Sequence, residues 1–353
     1  MKNKEQIVSE YRKITGRKVR IIILLIIGLV GILIWGLSVG GSDLGLGKVF
    51  QAIGDFFTGN ETLESSEKYI ALDIRIPRVI AGMIAGASLA LSGLLMQGIF
   101  QNPLVSPYTL GISNAASFGA CIAIVSCTGV AAVVLQPILT PLLAFAFSVV
   151  AMLMVFIIAK FGGQSTKTLV LTGVAIGYLF SSLVSLIKYV ANTDNLPDLV
   201  YWQMGSVANT RWYEVYIMIG TLAVCFILSL ILAWDLNVMA LGREEASALG
   251  VNFKRIQTIT FIMTTVLTGV TVAFTGVIGF VGLVAPHITR MIVGNDYRYC
   301  IPVSALFGGM LLLAADTLAK VVIAPAELPV GIITSLVGVP FYLFLVLRRN
   351  KNV

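Results

Sequence analysis

A chain of 353 residues with 58% hydrophobic and 12% charged side chains, and a mean hydropathy of +0.95, is too apolar for a soluble domain. Its net charge of +7 is distributed as membrane topology requires, which argues against nucleic-acid binding. Cys121, Cys127, Cys225 and Cys300 form no Cys-x-x-Cys pair and read as packing residues.

The polar, basic N-terminal segment, residues 1–19, leads into an apolar run reaching Val39 with no small-residue cleavage pattern, so the first helix is expected to be retained. Ten spans are expected, at 20–39, 79–99, 107–127, 138–159, 168–189, 213–234, 256–274, 277–293, 301–319 and 330–347. Residues 79–159 carry no charged side chain at all. The fold is thus all-α and polytopic, a transmembrane domain over 20–347 with both termini, 1–19 and 348–353, on one side. With that side inside, 17 of the 24 basic residues are cytoplasmic. That bias orients the chain by the positive-inside rule.

Near the outer mouth of the second span, Arg75 and Arg78 in Arg-Ile-Pro-Arg offer rigid forks suited to carboxylates, or else anchor a helix end by snorkelling. Residues 194–211 are too polar to span and contain Tyr201 and Trp202, so they predict an external amphipathic segment lying in the interface. Glycine pairs such as Gly82 and Gly86, or Gly173 and Gly177, predict close helix contacts, and Gly276, Gly279 and Gly282 are candidate helix interruptions. Asp316 and Lys320, four apart at the outer end of the ninth span, can pair on one helix face.

The cytoplasmic loop over 236–255 holds a polar island, Leu241-Gly-Arg-Glu-Glu-Ala-Ser-Ala-Leu-Gly250. Between its glycines lie good helix formers with an apolar edge, which suits a short helix docking into a groove on a soluble partner, or an ordinary solvated loop. No nucleotide-binding loop occurs: Gly162 to Thr168 lacks the glycine before the lysine, so this chain is not expected to hydrolyse ATP. His287 stands alone without nearby Cys, Asp or Glu, and no metal site is expected.

Ordered motifs from Arg75 onward resemble the permease subunits of the ATP-binding-cassette (ABC) importers for iron-siderophores, haem and cobalamin. They are Arg75-Ile-Pro-Arg78; Ser92-Gly-Leu-Leu-Met-Gln97 with Gln101-Asn-Pro-Leu104 and Leu110-Gly-Ile-Ser113; Trp202-Gln-Met-Gly-Ser206; Leu241 to Gly250; Gly276 to Arg290; Ala315-Asp316 with Lys320; and Glu327 to Gly331 with Gly338-Val-Pro340. The resemblance implies a pair of permeases, a cytoplasmic ATPase dimer carrying ATP and magnesium, an external binding protein, and no cofactor on this chain. It implies a cell-membrane transport subunit rather than an enzyme, with an iron-siderophore complex as the favoured cargo and haem or cobalamin as the others. It implies ATPase coupling through Leu241, Gly242, Arg243, Glu244, Glu245, Ala246, Leu249 and Gly250. Docking of the binding protein falls to Arg75, Arg78 and Lys320, and the inner gate to Asn102, Leu104, Ser165 and Thr166. A competing expectation from another class is an ion-coupled carrier using Asp316.

Overall fold

The computed structural model describes residues 4–40, 44–60, 62–127, 129–161 and 166–349, and among them every regular element is a helix. In chain order they are α1 (Lys4–Ser38), α2 (Leu46–Thr58), α3 (Ser65–Tyr69), a π-helical turn (Ile70–Arg75), α4 (Ile76–Ile99), α5 (Ile112–Ser126), α6 (Val130–Phe161) and α7 (Thr166–Val190). After a 3₁₀ turn come α8 (Leu196–Met204), α9 (Trp212–Ile231), α10 (Ala233–Met239), α11 (Arg243–Ala248), α12 (Phe253–Thr275), α13 (Val281–Val293), α14 (Tyr297–Ala319) and α15 (Val330–Arg349). Seven helices are long and apolar enough to cross a bilayer, and α5, α13 and part of α15 are shorter apolar helices. Each of the ten expected spans coincides with one of these ten.

The bundle is built around α4, whose most apolar window is 83% buried, against 11% for α1. Lipid offers helices no hydrophobic incentive to associate, so close backbone approach and interhelical hydrogen bonds must hold the centre together. The α4 sequence supplies both. A side chain on Gly86 would strike the Gly308 carbonyl of α14, and one on Gly93 would strike Gly282 of α13. Ser92 Oγ and Thr268 Oγ1 lie 2.7 Å apart across α4 and α12, and Ser304 Oγ donates to the Ala90 carbonyl at 3.3 Å. Gly93→Ala should therefore force α4 and α13 apart and cost about 1–3 kcal/mol. A fall in the melting temperature of the detergent-solubilised permease checks this, whereas Gly16→Ala, with open space around it, should leave it unchanged.

Two external elements flank the outer face. The α8 helix falls within the expected amphipathic segment: Leu199 is buried while Val200 and Tyr201 are exposed. The helix α2 was not anticipated. It buries Val49, Ala52 and Asp55, and the Asp55 carboxylate accepts from the Thr62 backbone N–H at 3.0 Å and the Thr62 hydroxyl at 2.7 Å.

Irregular backbone runs from Gly276 to Phe280, between α12 and α13, so Gly276 and Gly279 do interrupt helix there while Gly282 lies inside α13. Freed groups here find partners nearby: Ser206 N–H donates to the Thr275 carbonyl at 2.7 Å, and the Gly279 carbonyl accepts from Val281 N–H at 2.8 Å. Non-helical backbone at this depth is tolerable where it lines a cavity.

Candidate functional site

The loop over 236–255 folds with two short helices, α10 and α11. α11 ends in a Schellman cap: Val251 N–H donates to the Ala246 carbonyl at 2.9 Å and Gly250 N–H to the Ser247 carbonyl at 3.1 Å, with Gly250 at φ +80°. Ala246, fully buried, and Val251 supply the hydrophobic contact that goes with this cap. The next helix starts at once, its Asn252 side chain accepting from Arg255 N–H at 3.1 Å. Fastened at its C-terminal end, the island presents Leu241 and Leu249, each 63% exposed, beside exposed Arg243, Glu244 and Glu245. The Arg243 guanidinium sits 5.9 Å from the Phe253 ring centre, and the Glu245 carboxylate folds over Gly242. Two exposed leucines thus stand on a capped, charged platform. Gly250→Ala should cost about 1–2 kcal/mol of local stability through the left-handed backbone alone, since no atom lies near the added carbon. Faster hydrogen exchange confined to 243–251 is the expected readout.

The platform is tied to the bundle at two points. Asn237 Nδ2 donates to Asp296 Oδ1 at 3.0 Å, and Asn237 Oδ1 accepts from Tyr297 N–H at 2.9 Å. Asp296 also caps α14 and pairs with Arg298 at 2.7 Å, and the Arg298 guanidinium is the first cause holding its carboxyl down at about 2. The shift is downward, so the stabilisation is present above the ordinary 3.8 and is lost as pH falls through about 2. The second tie runs from Gln101 Nε2 to the Met239 carbonyl, 2.9 Å. Sequence reasoning passed over Asn237, Asp296 and the side chain of Gln101, because their partners are distant in the chain.

The structure places the outer basic residues inside the bundle. Arg75, Arg78 and Lys320, expected to face a docking partner, are buried at 4%, 7% and 7% exposure. Arg78 makes a bidentate contact with Asp316, 2.9 Å from Nη2 and 3.1 Å from Nε, and a second ion pair with Glu327. Lys320 Nζ lies 3.4 Å from Asp316 Oδ2, the expected i,i+4 pair, and 3.4 Å from the Gly36 carbonyl. Arg75 Nη1 donates to the Leu37 and Leu44 carbonyls at 3.0 and 2.7 Å. The physical reason is neutralisation: carboxylates and carbonyls inside the bundle meet these cations where water cannot. The cluster joins α1, α4, α14 and the loop before α15.

At the inner end of α4, Asn102 Oδ1 accepts from Leu104 N–H at 3.0 Å and closes an Asx turn. Leu104 is 42% exposed and lines a cavity of about 720 Å³. The cavity extends past Phe280 and Ser335 to Gln203 and Met204 at the end of α8, and among the described residues no charged side chain lines it. Phe280, another residue not singled out from sequence, holds a left-handed backbone at φ +66° in its wall. Of the other turn expected at the gate, Ser165 lies outside the described residues. Thr166 begins α7, and its side chain likewise lies outside them. Among the described residues no His, Cys, Asp and Glu cluster could hold a metal.

The family model of the FecCD transport family matches residues 23–348. The hemin transport system permease protein HmuU of Yersinia pestis is 36% identical over 338 residues, covering 93% of this chain and 97% of its own. The Fe(3+)-citrate import system permease protein YfmD of Bacillus subtilis is 34% identical, covering 98% of each chain. A metal-chelate type ABC transporter solved in an inward-facing conformation superposes with a TM-score of 0.79 at 30% identity, covering 93% of this chain and 99% of that one. Asp316 is thus an ion-paired residue in an importer permease, and the carrier reading built on it falls. The motifs, the ten-helix membrane bundle and these matches agree that the chain belongs to the FecCD transport family of ABC importer permeases.

Proposed function

We propose that this permease works in pairs in the cell membrane, carrying an iron-siderophore complex inward by alternating access, with haem and cobalamin as the alternative cargoes. The observation that supports this most is the uncharged cavity running from Leu104 to Gln203. Small polar and apolar walls suit a bulky chelate that is released rather than held, and leave tight binding to an external protein. The exposed leucines of the α11 platform suit a groove on a cytoplasmic ATPase dimer, which would hold ATP and magnesium; this chain itself carries no cofactor and no hydrolytic step. The relatives named for hemin and for ferric citrate support an iron chelate as the cargo.

The experiment is uptake into proteoliposomes containing the permease, its ATPase and its binding protein, with iron-loaded siderophore, hemin and cobalamin offered separately. ATP-dependent accumulation of the siderophore is expected. Accumulation of hemin or cobalamin alone would reassign the cargo, and uptake without the ATPase would overturn the importer reading.

A further inference from the structure

Two helices of this chain end in the same cap, and only one of them uses the residue the cap prefers. At the end of α11 the left-handed position is Gly250. At the inner end of α4, Asn102 N–H donates to the Gln97 carbonyl and Gln101 N–H to the Gly98 carbonyl, both at 3.2 Å, which is again the Schellman pattern. Here the left-handed position, φ +48°, is occupied by Gln101. Among the described residues only Gln101 and Phe280 adopt positive φ without being glycine. A glycine would close this cap without strain, so the glutamine side chain must repay the strain elsewhere. Its amide donates to the Met239 carbonyl, the last residue of α10, immediately before the docking platform.

The geometry points to Gln101 as a positioning residue that ties the gate turn to the coupling platform. The inference rests on the reading of Leu104 as part of the inner gate and of α11 as the ATPase dock. The connection is short on both sides. Leu104 follows Gln101 by three residues through the Asx turn of Asn102, and Leu241 follows Met239 by two. A displacement of the platform by the ATPase pulls on the Met239 carbonyl and, through the amide, on the cap of α4. The second tie, from Asn237 to Asp296 and Tyr297, holds the other side of α10 against α14 and makes the platform move with the bundle. Without the amide donor, the turn bearing Leu104 loses its direct link to the platform.

The test uses the full permease with its ATPase, carrying Leu104→Cys as a reporter in a background where the four native cysteines are buried. The rate of labelling by a water-soluble maleimide is measured with and without ATP, magnesium and vanadate. In the parent, nucleotide should change the rate at least about fivefold, because differential exposure of the gate is what the ATPase drives. Q101E keeps the length and loses the donor, so the nucleotide response should fall below about twofold while ATP hydrolysis persists. Q101R restores a donor and should restore the response, an outcome a merely structural role would not give. Q101M repeats the loss without added charge, and serves where Q101E fails to assemble. An unchanged response in both Q101E and Q101M overturns the strut. Absence of any response in the parent overturns the gate assignment of Leu104 instead, and the strut with it.

Discussion

Arg78→Ala should destabilise the permease by about 3–5 kcal/mol, because it takes the bidentate partner from a buried carboxylate. Asp316 is 2% exposed and loses its bidentate partner, leaving Lys320 at 3.4 Å as its remaining cation. Glu327, a third exposed, contributes less to the loss because water screens it. Arg75→Ala removes, among other contacts, two bonds to the Leu37 and Leu44 carbonyls. The measurement is thermal unfolding of the purified permease in detergent, with binding-protein affinity determined on the same samples. A large fall in melting temperature for Arg78→Ala is expected. A variant that melts like the parent and only binds its external protein more weakly would restore a surface docking role to Arg78.

That contrast shows where sequence stops being informative. The ten helices were legible because lipid forces spanning segments to be apolar and helical, and the contact at Gly86 was legible because small residues at helical spacing have one main use in a membrane, whereas the contact of Gly93 with Gly282 pairs residues distant in the chain. The i,i+4 pairing of Asp316 with Lys320 followed from helix geometry alone. The burial of Arg78 did not, since sequence places a residue near a helix end but says nothing of whether that end faces water or another helix. The π-helical turn over Ile70–Arg75 adds a further shift, because the wider turn changes which side of the bundle the following residues face. Similarly α2 was read as outer loop, although Val49 and Ala52 with Asp55 form a buried face three residues apart. Gln101 was visible only as part of a motif; what marks it is a backbone angle and a bond to a carbonyl 138 residues away.

Leu241→Asp combined with Leu249→Asp should abolish association with the ATPase while leaving the bundle folded. Both side chains are 63% exposed, so neither contributes much to the core, and the residue that seats the platform, Ala246, is untouched. Burying a leucine fully in a partner groove is worth about 1.5–3 kcal/mol, so losing two amounts to about 3–6 kcal/mol, or roughly a hundredfold to ten-thousandfold in dissociation constant. Charge reversal at Glu244 and Glu245 should have a smaller effect, because exposed charges at an interface rim change the rate of encounter more than the lifetime of the complex. The measurement is the dissociation constant for purified ATPase binding to the permease in detergent, with the melting temperature as the control for folding. If the double aspartate variant binds like the parent, the platform is not the dock. If it binds poorly and also melts early, the leucines belong to the bundle rather than to the interface, which their exposure argues against. Loss of binding at an unchanged melting temperature would identify the two leucines as the apolar centre of the contact. The cap at Gly250, followed at once by the Asn252 cap of α12, would then account for why so short a helix can transmit force: its C-terminal end is already fixed before the partner arrives.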